Sequence, residues 1–220
     1  MTARNIFDQE LELLNLDLIK MGALAEEAIE NAIGAFKNHD NKLAAAVILS
    51  DNKMNDLEKQ IEAKCLSLIL RQQPVARDLR KISTALKMIT DIERIGDNAA
   101  DIAELSMEIT GEYIFEIVGH IPKMAEIAVK MVHESITAFV SADLALAQKI
   151  IDTDDEVDRL FCLVKADISE ILKNGKDTQN NSIDFLMIAK YLERIADHAV
   201  NICEWVEFSR TGKHKNRKIM

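Results

Sequence analysis

Glu93, Asp97, Asp101 and Glu104 recur at helical intervals in the segment DIERIGDNAADIAE (residues 91–104). A second segment, YLERIADHAVNICE (191–204), repeats the pattern with Glu193, Asp197, Asn201 and Glu204. At 100° per residue the four acids of the first copy fall within an arc of about 80°, so on a helix they form one stripe of oxygen donors. Ile95 and Ile102, like Ile195 and Ile202, face the other way. Carboxylates stacked at i, i+4 repel by about 0.2–0.5 kcal/mol per exposed pair, and the cost rises where small neighbours let another helix close over them. Gly96 and Ala100 meet that condition in the first copy; in the second, Ala196 does but Val200 is bulkier. Such a stripe calls for positive charge. Arg94 and Arg194, three residues before Asp97 and Asp197, are one source, and a bound cation is the other.

The elements that must position these residues are helices. Apolar residues recur at helical spacing almost throughout, and the chain has only 7 Gly and 2 Pro with 48% hydrophobic residues, enough for a substantial core. The pattern predicts helices over about 7–38, 41–71, 76–109, 123–140, 143–173 and 182–210. Asp40 or Asn41 caps the second, Gln72-Gln73-Pro74 ends it, Asn174-Gly175 stops the fifth and Ser182 caps the sixth. Thr110-Gly111 and Ile121-Pro122 bracket a less regular connection. The duplication also extends beyond the acidic segments. Met21, Ala25, Ala35, Phe36 and Asp40 match Met124, Ala128, Ala138, Phe139 and Asp143, and Asp51, Asn55 and Leu57 match Asp154, Asp158 and Leu160. The expectation is an all-α chain of two tandem, pseudo-symmetric three-helix bundles, residues 1–111 and 112–220, the second ending in a basic tail.

Folding the second helix back on the third about residue 74 brings Asp51 level with about residue 97 and Asn55 with about 93. Folding the fifth on the sixth brings Asp154 level with about 200 and Asp158 with about 196. Each bundle then sets two oxygen-bearing side chains beside an E-xxx-D pair, a cation site of hard-ligand type suited to Mg, Mn, Ca or carboxylate-bridged iron. Two other readings stand beside it: a solvated acidic face balanced by local arginines, and a di-metal helical-bundle enzyme. The Glu-x-x-His signature of ferritin-like di-iron enzymes does not occur, nor does a Gly-rich phosphate loop or a GxSxG nucleophile. His198 reads as a surface or helix–helix contact, and nothing makes a positive case for catalysis.

The net charge of −10, from 37 acids against 27 bases, argues against a sequence-independent nucleic-acid binder. The basic tail, Lys213, His214, Lys215, Arg217 and Lys218, reads as a solvated terminus or, more sharply, a contact for anionic lipid. Cys65, Cys162 and Cys203 lack CxxC spacing and lie in apolar helical contexts, as expected of reduced, buried thiols in a cytosolic protein. The opening MTARNIFDQELELL carries charges where a signal peptide needs an apolar run, and no apolar stretch is long enough to span a membrane.

Three segments, RQQPVARDLRKI (71–82), DIERIGDNAADIAE (91–104) and IAKYLERIADHAVNICEWVEF (188–208), occur in this order within the duplicated chain. Together they resemble the PhoU family of phosphate-uptake regulators. The resemblance implies metal clusters of iron, zinc, manganese or magnesium. Their ligands would be Glu93, Asp97 and Asp101 in one bundle, Glu193, Asp197 and Asn201 in the other, with Asp51, Asp154 and Asp158 from the preceding helices. Asn55 and Asn201 depart from a fully acidic pattern. The resemblance further implies a cytoplasmic, homodimeric accessory at the inner face of the cell membrane. That accessory would relay the state of the phosphate-specific ABC transporter to a phosphate-sensing histidine kinase and restrain the phosphate-starvation response.

Overall fold

The structure is a computed structural model describing residues 3–72, 74–109, 119–175, 177, 181–214 and 217–218. Among these, six α-helices run α1 (Ala3–Asn38), α2 (Asn41–Gln72), α3 (Ala76–Glu108), α4 (His120–Ser141), α5 (Leu144–Lys173) and α6 (Ser182–Thr211). A two-stranded hairpin follows, β1 (Lys213–His214) antiparallel to β2 (Arg217–Lys218). Among the described residues the chain is all-α apart from this hairpin, which lies in the basic tail. The expected boundary at residues 111 and 112, with the connection around it, lies outside the described residues. No helix among those described is long and apolar enough to cross a membrane.

Most helix ends follow from local chemistry. Asp40 Oδ1 accepts from the backbone N–H groups of Lys42 and Leu43 at 3.0 Å each, capping α2. Asp143, its counterpart, caps α5 in the same way through Ala145 and Leu146. Just before these caps, His39 (φ 51°) and Ala142 (φ 54°) both take the left-handed conformation, so the duplication preserves even a strained turn that costs about 1–2 kcal/mol. Two expected boundaries shift. Pro122 lies inside the first turn of α4, where a missing N–H leaves no intrahelical bond unmade. Ser182 does not cap α6; the Asp177 carboxylate accepts from the Asn181 and Ser182 N–H groups instead, at 3.0 and 3.3 Å.

In each half the three helices all touch one another, and the halves join through α3 against α6 and α1 against α4. Both junctions are antiparallel. Along α3 and α6, Arg80 Nε donates to the Ser209 carbonyl, Thr84 Oγ1 to the Trp205 carbonyl, and Asp91 meets His198, so residue numbers fall on one helix as they rise on the other. At the α1–α4 junction Glu26 meets His133 at 3.1 Å. There a Cβ on Gly22 would sit 2.0 Å from Ile136 Cδ1, so glycine sets how closely those helices approach. One continuous hydrophobic core runs through both halves, with Ile92, Ile95, Ile102, Leu192, Ile195 and Ile202 fully buried. Each such side chain contributes about 1.5–3 kcal/mol. The isoleucines opposite the acid stripe thus pin α3 and α6 in the core and turn the acids toward α2 and α5. Of the cysteines, Cys65 and Cys203 are buried, and burial pushes each thiol up to about 12; Cys162, expected to be buried, is exposed because its face of α5 points outward.

Candidate metal centres

In the first bundle α2 lies along α3 as the fold-back predicts. Asp51 comes beside Gly96, its Oδ1 3.7 Å from where a Cβ there would stand. Asp51 is half-buried, and its carboxyl is held above the usual range by burial first and then by the charge of Asp97, with Asp101 adding to it. Asn55 Nδ2 donates to Asp51 Oδ2 at 2.9 Å and partly offsets this. Asp51 Oδ1 is buried with no hydrogen-bond partner. Glu93 is raised by burial and by Asp97. The expected local cation is in place: Arg94 Nη1 lies 2.7 Å from Asp97 Oδ2 and its Nε 3.4 Å from Glu93 Oε2. A cavity of about 230 Å³ opens on Asp51 between α1, α2 and α3, with Glu27, Asn31 and Ser50 among its polar walls.

The second bundle repeats the arrangement with a carboxylate, Asp158, where the first has the Asn55 amide. Asp154 Oδ1 is likewise buried without a partner. Burial, followed by the charges of Asp197, Asp158 and Glu193, pushes the Asp154 carboxyl up to about 6. Asp197 is raised by burial and by Glu193, against a lowering by Lys190. The local cation is not the expected one. Lys190 Nζ bonds the Glu193 carboxylate and lies over the Phe161 ring, while Arg194 acts on Asp101 of the other bundle.

Asp101 and Asn201 divide their loyalties. The Tyr191 hydroxyl donates to Asp101 across the α3–α6 seam, which lowers the acid against a larger rise from burial. At the pseudo-equivalent place Asn201 Nδ2 donates to Asp91 Oδ1 at 3.3 Å, and His198 Nδ1 lies 2.9 Å from the same oxygen. The acid therefore stays on α3 in both seam pairs, at one end of the motif as Asp101 (with Tyr191) and at the other as Asp91 (with Asn201). Asp91 and Tyr191 had not been singled out as functional residues. The signal was present in the sequence, since positions 91 and 191 differ in the same sense as 101 and 201, an acid in the first copy and a neutral residue in the second. Recognising it required knowing that α3 and α6 run antiparallel. His198 takes the helix–helix role expected of it.

The structure thus gathers Asp51, Glu93, Asp97 and Asp101 in one place and Asp154, Asp158, Glu193 and Asp197 in another, and turns Asn201 to the seam. All are oxygen donors of the kind hard cations prefer. The orphaned, buried Oδ1 atoms of Asp51 and Asp154 are what a cation would satisfy. Among the described residues no three carboxylate, imidazole or thiolate groups already converge at coordinating distance. The donors match hard-cation chemistry in type and lie level along the helices without converging at coordinating distance.

These features define a duplicated, all-α protein with one acid-lined, half-buried site in each three-helix bundle. The PhoU domain matches residues 18–106 and 121–206, and the chain belongs to that family. It is 38% identical over 211 residues to a phosphate-specific transport system accessory protein PhoU homolog of Clostridium acetobutylicum, covering 96% of both chains. Crystal structures of PhoU from Pseudomonas aeruginosa and of the phosphate transport system regulatory protein PhoU from Streptococcus pneumoniae each superpose with a TM-score of 0.86 over 94% of this chain. They are 31% and 28% identical to it and covered over 100% and 98% of their own lengths.

Proposed function

We propose that the chain is a non-catalytic, metal-binding regulator of phosphate uptake. In this reading it is a cytoplasmic adaptor linking the phosphate-specific ABC transporter to a phosphate-sensing histidine kinase, and it restrains the starvation response when phosphate is plentiful. The observation that carries the reading is a PhoU-family chain with an acid site in each half, each holding an orphaned buried carboxylate oxygen. Glu93, Asp97 and Asp51 would hold one metal and Glu193, Asp197, Asp154 and Asp158 the other, with Asp101 supporting the first. The metal, of the iron, zinc, manganese or magnesium kind, supplies charge neutralisation between helices rather than reaction chemistry. Two long bundles also leave extended helical faces for partners.

The test is genetic and biochemical together. Deleting the gene should switch on phosphate-starvation transcription in phosphate-replete cells. A tagged chain should recover the transporter's ATPase subunit and the histidine kinase from the same cells. Intact repression in the deletion strain sinks the regulatory reading whatever is recovered.

A further inference from the structure

The end of the molecule at the α2–α3 turn differs from the rest of this acidic chain. The antiparallel pairings bring three elements there: the α2–α3 turn itself, the C-terminal end of α6 with its hairpin, and the N-terminal end of α1. Arg80 bonding the Ser209 carbonyl places α6, and Lys64 pairing with Asp17 at 2.7 Å places α1. The side chains at this end sort by charge. Arg71, Arg77, Arg210 and Lys213 are exposed, whereas of the acids, Asp8, Glu10, Asp78 and Glu207 are buried or half-buried and Glu12 is exposed. Among the exposed side chains described at this end, cations therefore outnumber acids on a chain of net −10. Between these cations stand Leu70, 80% exposed, and Val75, 63% exposed. Both flank the α2–α3 turn.

We propose that this end adsorbs directly to an anionic lipid surface, with Leu70 and Val75 entering the interface and Arg71, Arg77, Arg210 and Lys213 lying over the headgroups. Charge complementarity names the occupant: basic residues near an anionic leaflet each contribute enough to matter collectively, and exposed apolar side chains beside them add interfacial burial. The sequence expectation of a lipid contact through the C-terminal tail alone is thereby widened to a surface assembled from α2, α3 and α6. It would orient the chain beside membrane proteins without any spanning helix, and it stands independently of metal binding and of the transporter.

Sedimentation of the full chain with vesicles tests it. Vesicles with about 30% phosphatidylglycerol should carry the protein down at low salt, vesicles of phosphatidylcholine should not, and binding should fade as salt rises past the screening range. The pair Arg71→Gln and Arg77→Gln should weaken partition about tenfold or more. Leu70→Ser, at a site too exposed to disturb folding, should weaken it several-fold while the melting temperature stays unchanged. The proposal is overturned by equal binding to both vesicle types, by binding that these variants leave intact, or by an acidic protein partner captured through these residues while vesicles are ignored.

Discussion

The two acid sites share a backbone plan and differ by a few side chains, and those differences set how much each site needs a cation. In the first bundle the α2 pair is Asp51 and Asn55, and the Asn55 amide neutralises part of the repulsion by donating to Asp51. Arg94 then spans both Glu93 and Asp97. In the second bundle the α5 pair is Asp154 and Asp158, so the neighbour that relieved Asp51 is replaced by one that raises Asp154 further. Its cation, Lys190, bonds Glu193 and stays near Phe161. One duplicated frame therefore carries two sites of four acids and one local cation each, with an amide donating to the aspartate in the first where a carboxylate stands in the second. The second has more to gain from a bound cation and holds a proton to higher pH.

The largest effect that sharpens this contrast is on heat stability with metal. A hard divalent cation such as Mn²⁺ at about a hundred times its Kd should raise Tm by about 5–10 °C for a chain of this size. Asp197→Asn should remove more of that rise than Asp97→Asn. Calorimetry showing no rise in the wild type removes the metal reading, and equal losses in the two variants remove the contrast.

A smaller effect appears in the metal-free protein on changing pH. Asp154 is raised from 3.8 to about 6, so between those values the folded chain binds more protons than the unfolded one and stability falls as pH rises. Its contribution is fully present below about pH 4 and is lost once pH passes 6. Asp154→Asn should flatten that fall, and Asp158→Asn should shrink it by bringing the second site toward the Asn55 arrangement of the first. Solvent screening of these half-buried groups limits either gain at neutral pH to about 1 kcal/mol. Denaturant melts at several pH values read it, and a wild-type curve that climbs through this window contradicts the assignment.

The smallest effect concerns the close approach of α2 to α3. Gly96 faces Met54 Cγ at 3.2 Å from a notional Cβ, and Ala196 occupies the same place in the second bundle. Because methionine yields easily, Gly96→Ala should stabilise the fold by about 0.5 kcal/mol through helix propensity. A loss of stability would show that the first bundle packs more tightly than the second.

Much of this was legible before any coordinates. Helical periodicity, Asp40 as a cap, the Pro74 break and the repeated matches gave six helices in two bundles because each depends on residues close in sequence. The same was true of the facing of Asp51 on Asp97, since a short turn fixes the register of an antiparallel pair. Misplacements came where a residue's partner lies elsewhere. Arg194 was expected to balance Asp197 and instead acts on Asp101, and Asp177 rather than Ser182 caps α6.

The sequence alone determined that there are two acid stripes, that they ride on helices, and that isoleucines opposite them enter the core, because spacing at 3.6 residues per turn decides which side chains share a face. Only the tertiary structure decided that α3 and α6 cross antiparallel. That crossing pairs Asp91 with His198 and Asn201, and Asp101 with Tyr191, and it brings Arg71 and Arg77 to the same end as Arg210 and Lys213. Contacts between helices more than a hundred residues apart depend on how whole bundles pack, and no local spacing encodes that.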